Sequence, residues 1–290
     1  MKNGTIYFPG LNGLRAIAAI AVVLTHITLK LGEFGLDPFI FGTLSDGKPK
    51  GLMLGPYGVS IFFVLSGFLI TYLLLEEKAR TDIDVKKFYF RRILRIWPLY
   101  YLYLSVSLIT IMAFSLELNK DSLFFYIFYA ANIPSILVTS IPLLAHYWSL
   151  GVEEQFYLFW PWVIKKINKP VIPLTMAITI LMGTKIFFHF YSPDSIVESA
   201  IHITRFHCMI MGALGAIFYR ERNVLFLKLV DNKITQSLCW GLLLLTAINK
   251  FHFISVIDNE IIAFAAILLI IGQINIKNRL VNLETKTFDY

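Results

Sequence analysis

Two ionisable residues stand in an otherwise apolar run near the start of the chain, "LNGLRAIAAIAVVLTH". Arg15 and His26 are eleven residues apart, which at ~3.6 residues per helical turn puts them on one face, ~16 Å apart along the axis. An ionisable group at a bilayer centre costs roughly 2.5–3.5 kcal/mol on insertion scales, so such residues usually face an internal cavity. A deep histidine kept there, with an arginine on the same face, would suit chemistry within the membrane. The plainer alternative is that Arg15 marks the inner interface and His26 is a neutral packing residue.

Other stretches repeat the pattern. In "FYFRRILRIWPLYYLY", Arg92 and Arg95 are helix neighbours at the mouth of an apolar segment. Their planar forks suit a phosphate, although basic residues are also expected there as membrane anchors. In "HYWSLGVEEQFYLFWPWVI", Ser149 and Glu153 share a face and Glu154 follows. Packing alone would favour no charge at this place, so the carboxylates are candidates for acid–base work or for orienting a histidine. In "HITRFHCMIMGALGAI", Arg205 and His207 precede Gly212 and Gly215, whose small size would let helices approach closely. Lys185 and His189 can snorkel to an interface and carry no functional reading.

The elements that must position these groups are membrane helices. The chain is 57% hydrophobic and 16% charged with a mean hydropathy of +0.68, against ~45–50% and ~25% in soluble domains. The net charge of +7 sits between apolar runs, the footprint of cytoplasmic loops beside anionic lipid; nucleic acid is excluded as a partner. Cys208 and Cys239 lie in separate apolar segments and form neither a metal site nor a disulfide framework. No cleavable signal peptide is visible, and neither a GxSxG elbow, an HExxH run nor a Walker A loop occurs. Apolar runs at 11–31, 57–76, 94–116, 122–138, 147–164, 171–190, 201–219, 235–251 and 260–276 predict an all-α polytopic bundle of about eight or nine spans, one domain over 1–290.

The basic loop 77–95 should be cytoplasmic, which places the N-terminus inside. Charge also places "KKINK" (165–169) inside, and that requires 122–145 to be re-entrant or broken, with Pro134 and Pro142 as candidate breakers. The serines of "GVSIFFVLSGFLIT" are expected to bond neighbouring helices or the backbone.

Taken in order, the blocks "LNGLRAIAAIAVVLTH", "GVSIFFVLSGFLIT", "FYFRRILRIWPLYYL" and "WSLGVEEQFYLFWP", with a weaker "TRFHCMIMGALGAI", resemble the acyltransferase-3 family of integral membrane O-acyltransferases, typified by O-antigen and peptidoglycan O-acetylases. The resemblance implies His26 as the catalytic group, with Arg15 and Glu153 beside it. It implies Arg92 and Arg95 on the acyl-CoA side, and Arg205 and Ser149 toward the substrate. His207 stands where the family often has Asp. The family usually continues into a closing helix, so one final span is expected to be missing after "NLETKTFDY".

The function expected is transfer of an acyl group, acetyl foremost, from cytosolic acyl-CoA to a hydroxyl of a cell-envelope glycan or lipid-linked saccharide. The expected setting is a bacterial inner membrane, with no permanent cofactor and no metal. The alternative is a proton-coupled transporter relaying through His26 and Glu153. Against it stand the absence of a visible inverted repeat and a basic cluster on one side only.

Overall fold

Glycine decides where several helices of this chain meet. A Cβ added at Gly67 would overlap the backbone carbonyl of Met209, and one added at Gly212 would overlap that of Val64. Two helix backbones therefore cross there with no side chain between them, a packing mode suited to lipid, where apolar side chains gain little by leaving their solvent.

The computed structural model describes residues 7–44, 47–254, 256–275 and 279–284. Among them the regular structure is helical, and one isolated bridge between Thr43 and Pro49 is the β pairing present. The helices are α1 (Leu11–Leu31), α2 (Leu54–Arg80), α3 (Val85–Ala113), α4 (Lys120–Ile127), α5 (Asn132–Ile136), α6 (Tyr147–Lys166), α7 (Val171–Tyr191), α8 (Ile196–Thr204), α9 (Phe206–Arg220), α10 (Val224–Val230), α11 (Lys233–Ala247) and α12 (Asp258–Ile274).

Among the described residues, five stretches are long and apolar enough to cross a membrane: Leu11–Leu31, Lys50–Arg80, Val85–Ala113, Val171–Tyr191 and Ile196–Arg220. The runs expected as spans at 147–164, 235–251 and 260–276 form helices α6, α11 and α12, which are not among these five, and two further expected spans are interrupted. The 122–138 run is split into α4 and α5, of 8 and 5 residues, far short of the ~20 a crossing needs. The break falls at 128–131, where Tyr129 adopts φ 56°, upstream of both prolines singled out in the sequence. The 201–219 run starts earlier, in α8, and is interrupted at Arg205, which takes the left-handed conformation (φ 44°, ψ 34°) between α8 and α9. The expected stop short of a closing helix concerns residues that lie partly outside the described ones, at 285–290.

The chain divides into two compact units. The first holds the described residues up to Tyr72 and from Cys208 onward. At its centre α12, apolar through most of its length, is buried on nearly all sides. Its polar start is satisfied locally. Asp258 accepts from the backbone N–H groups of Phe253 and Ile254 at 3.0 and 3.1 Å and meets His252 Nδ1 at 2.7 Å, and a carboxylate at a helix N-terminus also complements the macrodipole. Ser60 donates to Pro56 O and to Asn259 Oδ1, as its place in the serine-bearing block predicts. Thr25 ties α1 to the start of α2, donating to Gly51 O at 2.6 Å and accepting from Gly55 N at 2.7 Å.

The second unit runs from Leu73 to His207. Its core is aromatic: Tyr100 stacks on Tyr129 at 4.0 Å, and Tyr147 lies 4.3 Å from Tyr100. The Tyr100 and Tyr147 hydroxyls are consumed by backbone, Tyr100 donating to Tyr126 O at 2.6 Å and Tyr147 to Tyr100 O at 2.8 Å, whereas the buried Tyr129 hydroxyl has no hydrogen-bond partner among the described residues. One end of this unit is a polar clasp. Lys78 Nζ donates to the carbonyls of Ile164 and Ile167 at the end of α6, and Lys165 pairs with Asp82 at 2.5 Å. The 165–169 stretch therefore lies beside the 77–95 loop, the arrangement that a broken 122–145 segment allows. Lys185, expected at an interface, is instead buried on α7 (2% exposed), and His189 meets Glu198 at 2.7 Å.

Candidate active site

Arginine 92 is placed by the first turns of α3. Asp84 caps that helix by accepting from Lys87 N at 3.0 Å, which satisfies an otherwise orphaned N–H. Val85 and Phe88 turn inward, and Arg92, one turn beyond Phe88, follows them on the same side. Its guanidinium lies over the Phe88 ring at 5.7 Å and over the Tyr157 ring of α6 at 4.7 Å. A cation on an aromatic face is stabilised by about 0.5–2 kcal/mol, more as water is removed. Among the described residues Arg92 makes no hydrogen bond or ion pair, so its N–H edges remain for a ligand. Neighbouring Arg91 differs, pairing with Glu77 at 3.3 Å. Arg95 is exposed.

Helix α6 brings its acids to the same place. Tyr157 Oη donates to Glu153 Oε2 at 3.1 Å, one turn back along the helix. Glu154 is near enough for Arg92 to act on its charge, and its Oε1 is buried without a hydrogen-bond partner among the described residues. The helix is seated by its next positions. At Gly151 an added Cβ would touch the 129–132 break, and the Gln155 and Asn132 amides bond each other reciprocally at 2.7 and 3.3 Å. Arg92 and Glu153 are thus brought into one cluster, with Tyr157 between them. Tyr157 was missed by sequence reading; its i, i+4 spacing from Glu153 is the signal that could have found it.

The remaining candidates of this unit lie at the start of α6. Arg205 is buried (4% exposed), donates from Nε to His202 O at 2.8 Å, and sets its guanidinium 5.9 Å from the Trp148 ring. Ser149 Oγ donates to His146 O at 3.3 Å, a bond within its own first turn.

Arg15 and His26 belong to the other unit. Arg15 donates from Nη1 to Asn12 Oδ1 at 3.2 Å. His26 lies on an exposed part of α1, whereas its neighbours Thr25 and Thr28 are buried, so within its own unit it is not enclosed as the apolar surroundings in sequence suggested. Its Nδ1 stands 2.8 Å from Val22 O. That carbonyl can only accept, so the neutral ring carries its proton on Nδ1 and its basic lone pair on Nε2. Such an imidazole can take a proton from a hydroxyl or attack an acyl carbon.

The family model described as "Acyltransferase domain" matches residues 8–280. The chain is 31% identical over 233 residues to "O-acetyltransferase OatA" of Staphylococcus aureus, covering 73% of this chain and 35% of that protein. It is 35% identical over 167 residues to "Peptidoglycan O-acetyltransferase OatA" of Listeria monocytogenes, covering 53% of this chain and 24% of that one. The chain thus spans about a third or less of the length of these relatives. No solved structure matches.

Proposed function

The chain belongs to the acyltransferase-3 family of integral membrane proteins, and from that premise we propose that it moves an acetyl group from cytosolic acetyl-CoA to a hydroxyl of a cell-envelope glycan. The observation that carries this reading is Arg92, held on two ring faces with its N–H edges unpaired among the described residues. A guanidinium so placed is prepared for a phosphate, and coenzyme A carries phosphates at the end remote from its thioester. Arg95, exposed one turn further along α3, adds a second positive charge.

In this reading the 77–95 loop faces the cytosol of a bacterial inner membrane, as its basic residues favour, and the N-terminus lies on the same side. The nucleotide stays at that entrance while the pantetheine arm carries the acetyl thioester inward. His26 takes part through Nε2, either drawing the proton from the acceptor hydroxyl or accepting the acetyl group and passing it on. In both cases the thiol of coenzyme A leaves with a proton. Arg15 orients the donor or polarises its carbonyl; Glu153 supports His26 or the acceptor, and Arg205 and Ser149 contribute to the acceptor side. The naming of relatives for peptidoglycan O-acetylation supports a cell-wall glycan as acceptor.

The test is acetyl transfer from labelled acetyl-CoA to soluble peptidoglycan strands by purified full chain in liposomes. Transfer is expected in the parent protein and is expected to vanish in His26→Ala, with coenzyme A binding retained. Equal transfer by His26→Ala would remove the histidine from the reaction.

A further inference from the structure

Exposed apolar side chains gather between α1 and α2 in a segment whose backbone is held in place. The chain leaves α1 through Gly35, whose φ of 68° lets its N–H and that of Leu36 bond back to Gly32 O and Leu31 O at 3.2 and 3.0 Å. Gly42 (φ 89°) turns the chain back, donating to Phe39 O at 2.7 Å and accepting from Lys50 N at 2.9 Å. The returning arm is pinned to α1 at Gly51, where an added Cβ would overlap Thr28 Oγ1 and crowd the Phe41 ring, and whose carbonyl accepts from Thr25. Yet Phe34, Leu36, Phe39, Ile40 and Phe41, five apolar side chains within eight residues, stay exposed, Phe34 at 77% and Ile40 at 60%. A cluster of this kind marks a surface that something apolar covers.

Its place in the chain says what covers it. The 21 residues of α1 rise roughly 32 Å at ~1.5 Å each, which matches the ~30 Å hydrocarbon layer of a bilayer. The segment after Leu31 therefore emerges at the headgroup layer. Ile20, Val23 and Ile27, exposed along one face of α1, carry an apolar surface up to it.

We propose that residues 34–41 form a docking surface for the lipid leaflet at the end of α1, their side chains seated at the boundary between headgroups and acyl chains. The contact sets the depth of His26. That residue lies five positions before the end of α1, about 7.5 Å along the axis. The imidazole is thereby kept shallow, open to an acceptor hydroxyl presented at the membrane surface. The proposal rests on the functional reading above for the role of His26, and on its sidedness for the leaflet, the one opposite the basic loop.

The experiment uses the full chain with Cys208→Ala and Cys239→Ala, carrying Ile40→Cys or, separately, Leu36→Cys labelled with an environment-sensitive fluorophore. The protein is placed in phosphatidylethanolamine–phosphatidylglycerol vesicles whose lipid is spin-labelled either beside the headgroup or at the acyl end. Emission is expected to be quenched at both positions, several-fold more by the shallow label than by the deep one. A fluorophore that neither lipid quenches overturns the proposal, whether it emits as in water or as a group covered by protein or by a second copy. With the fluorophore at Leu36→Cys, adding Phe34→Ser and Ile40→Ser is expected to abolish the quenching and to lower acetyl transfer several-fold while coenzyme A binding holds. Lost quenching with unchanged transfer overturns the depth-setting role. Failure of the underlying reading shows separately. A parent that transfers no acetyl group overturns the activity, and Thr43→Cys reacting from the same side as Arg80→Cys overturns the sidedness; in both cases quenching at Ile40→Cys still reports the lipid contact.

Discussion

Arginines 91, 92 and 95 are the same residue type within five positions, yet their surroundings give them three different tasks. Arg91 is tied to Glu77, Arg92 rests on aromatic faces, and Arg95 is exposed. Removing the charge should therefore have graded effects. Arg92→Gln is expected to weaken coenzyme A binding by tenfold or more, on the order of 1.4 kcal/mol. Arg95→Gln is expected to cost a fewfold and to lose its effect at high salt, because an exposed charge is screened. Titration of both variants at two ionic strengths checks this, and equal, unchanged affinities would reduce the pair to topology anchors. The charged members of the site were legible in sequence because a charge in an apolar run is costly and so stands out. Tyr157 was not, because a tyrosine among so many aromatics carries no such signal. The conformation of Arg205 was equally hidden, since no glycine or proline marks the break it makes.

Helices of this chain were mostly legible as elements, their apolar runs matching the observed ones within a few residues at α1, α6 and α7. Where they break was harder to read. Pro134 sits inside α5 and the chain turns earlier, at Tyr129, because the break is fixed by what packs on it: Gly151 and Gln155 of α6. The close crossing of α2 and α9 makes the clearest prediction at this scale. Gly67→Ala or Gly212→Ala must push two backbones apart, and each is expected to destabilise by about 1–3 kcal/mol or more as overpacking does. Gly183→Ala on α7 meets nothing within 4 Å, and is expected to be neutral or to stabilise by about 0.5–1 kcal/mol. Thermal unfolding in detergent would separate the two classes. The clasp beneath α6 adds a pH dependence. The hydrogen bond from Lys165 holds the Asp82 carboxyl below the usual carboxylate range, with the nearby backbone N–H of Ile83 adding to it. Its contribution is therefore full above that range and lost as pH falls through the lowered value. The difference in melting temperature between parent and Asp82→Asn, small for so exposed a pair, should vanish in acid.

For the whole molecule, the return of 165–169 to the neighbourhood of 77–95 predicts sidedness. Cysteines placed at Arg80 and Asn168, with the buried Cys208 and Cys239 replaced, should react with an impermeant thiol reagent from one and the same side of the membrane. Labelling from opposite sides would require a full crossing within 122–145. A different consequence follows from the way the first unit is assembled from two separated parts of the chain. Ribosomes deliver a protein in order, and domains generally fold as units while synthesis proceeds. The second unit is continuous and can pack as soon as Leu73–His207 has been inserted. The first must keep α1 and the start of α2 waiting, with the Gly67 and Ser60 surfaces uncovered, until α9 and then α12 arrive. Its centre is thus the last part to be made. Nascent chains stalled after Arg222 should already protect the Tyr100–Tyr147 core from proteolysis, while α1, tied to the start of α2 by Thr25, still lacks its packing against α12. A chain of this design makes α1 early and completes its packing late, so the surroundings of His26 on the first unit are finished only once α12 has been inserted.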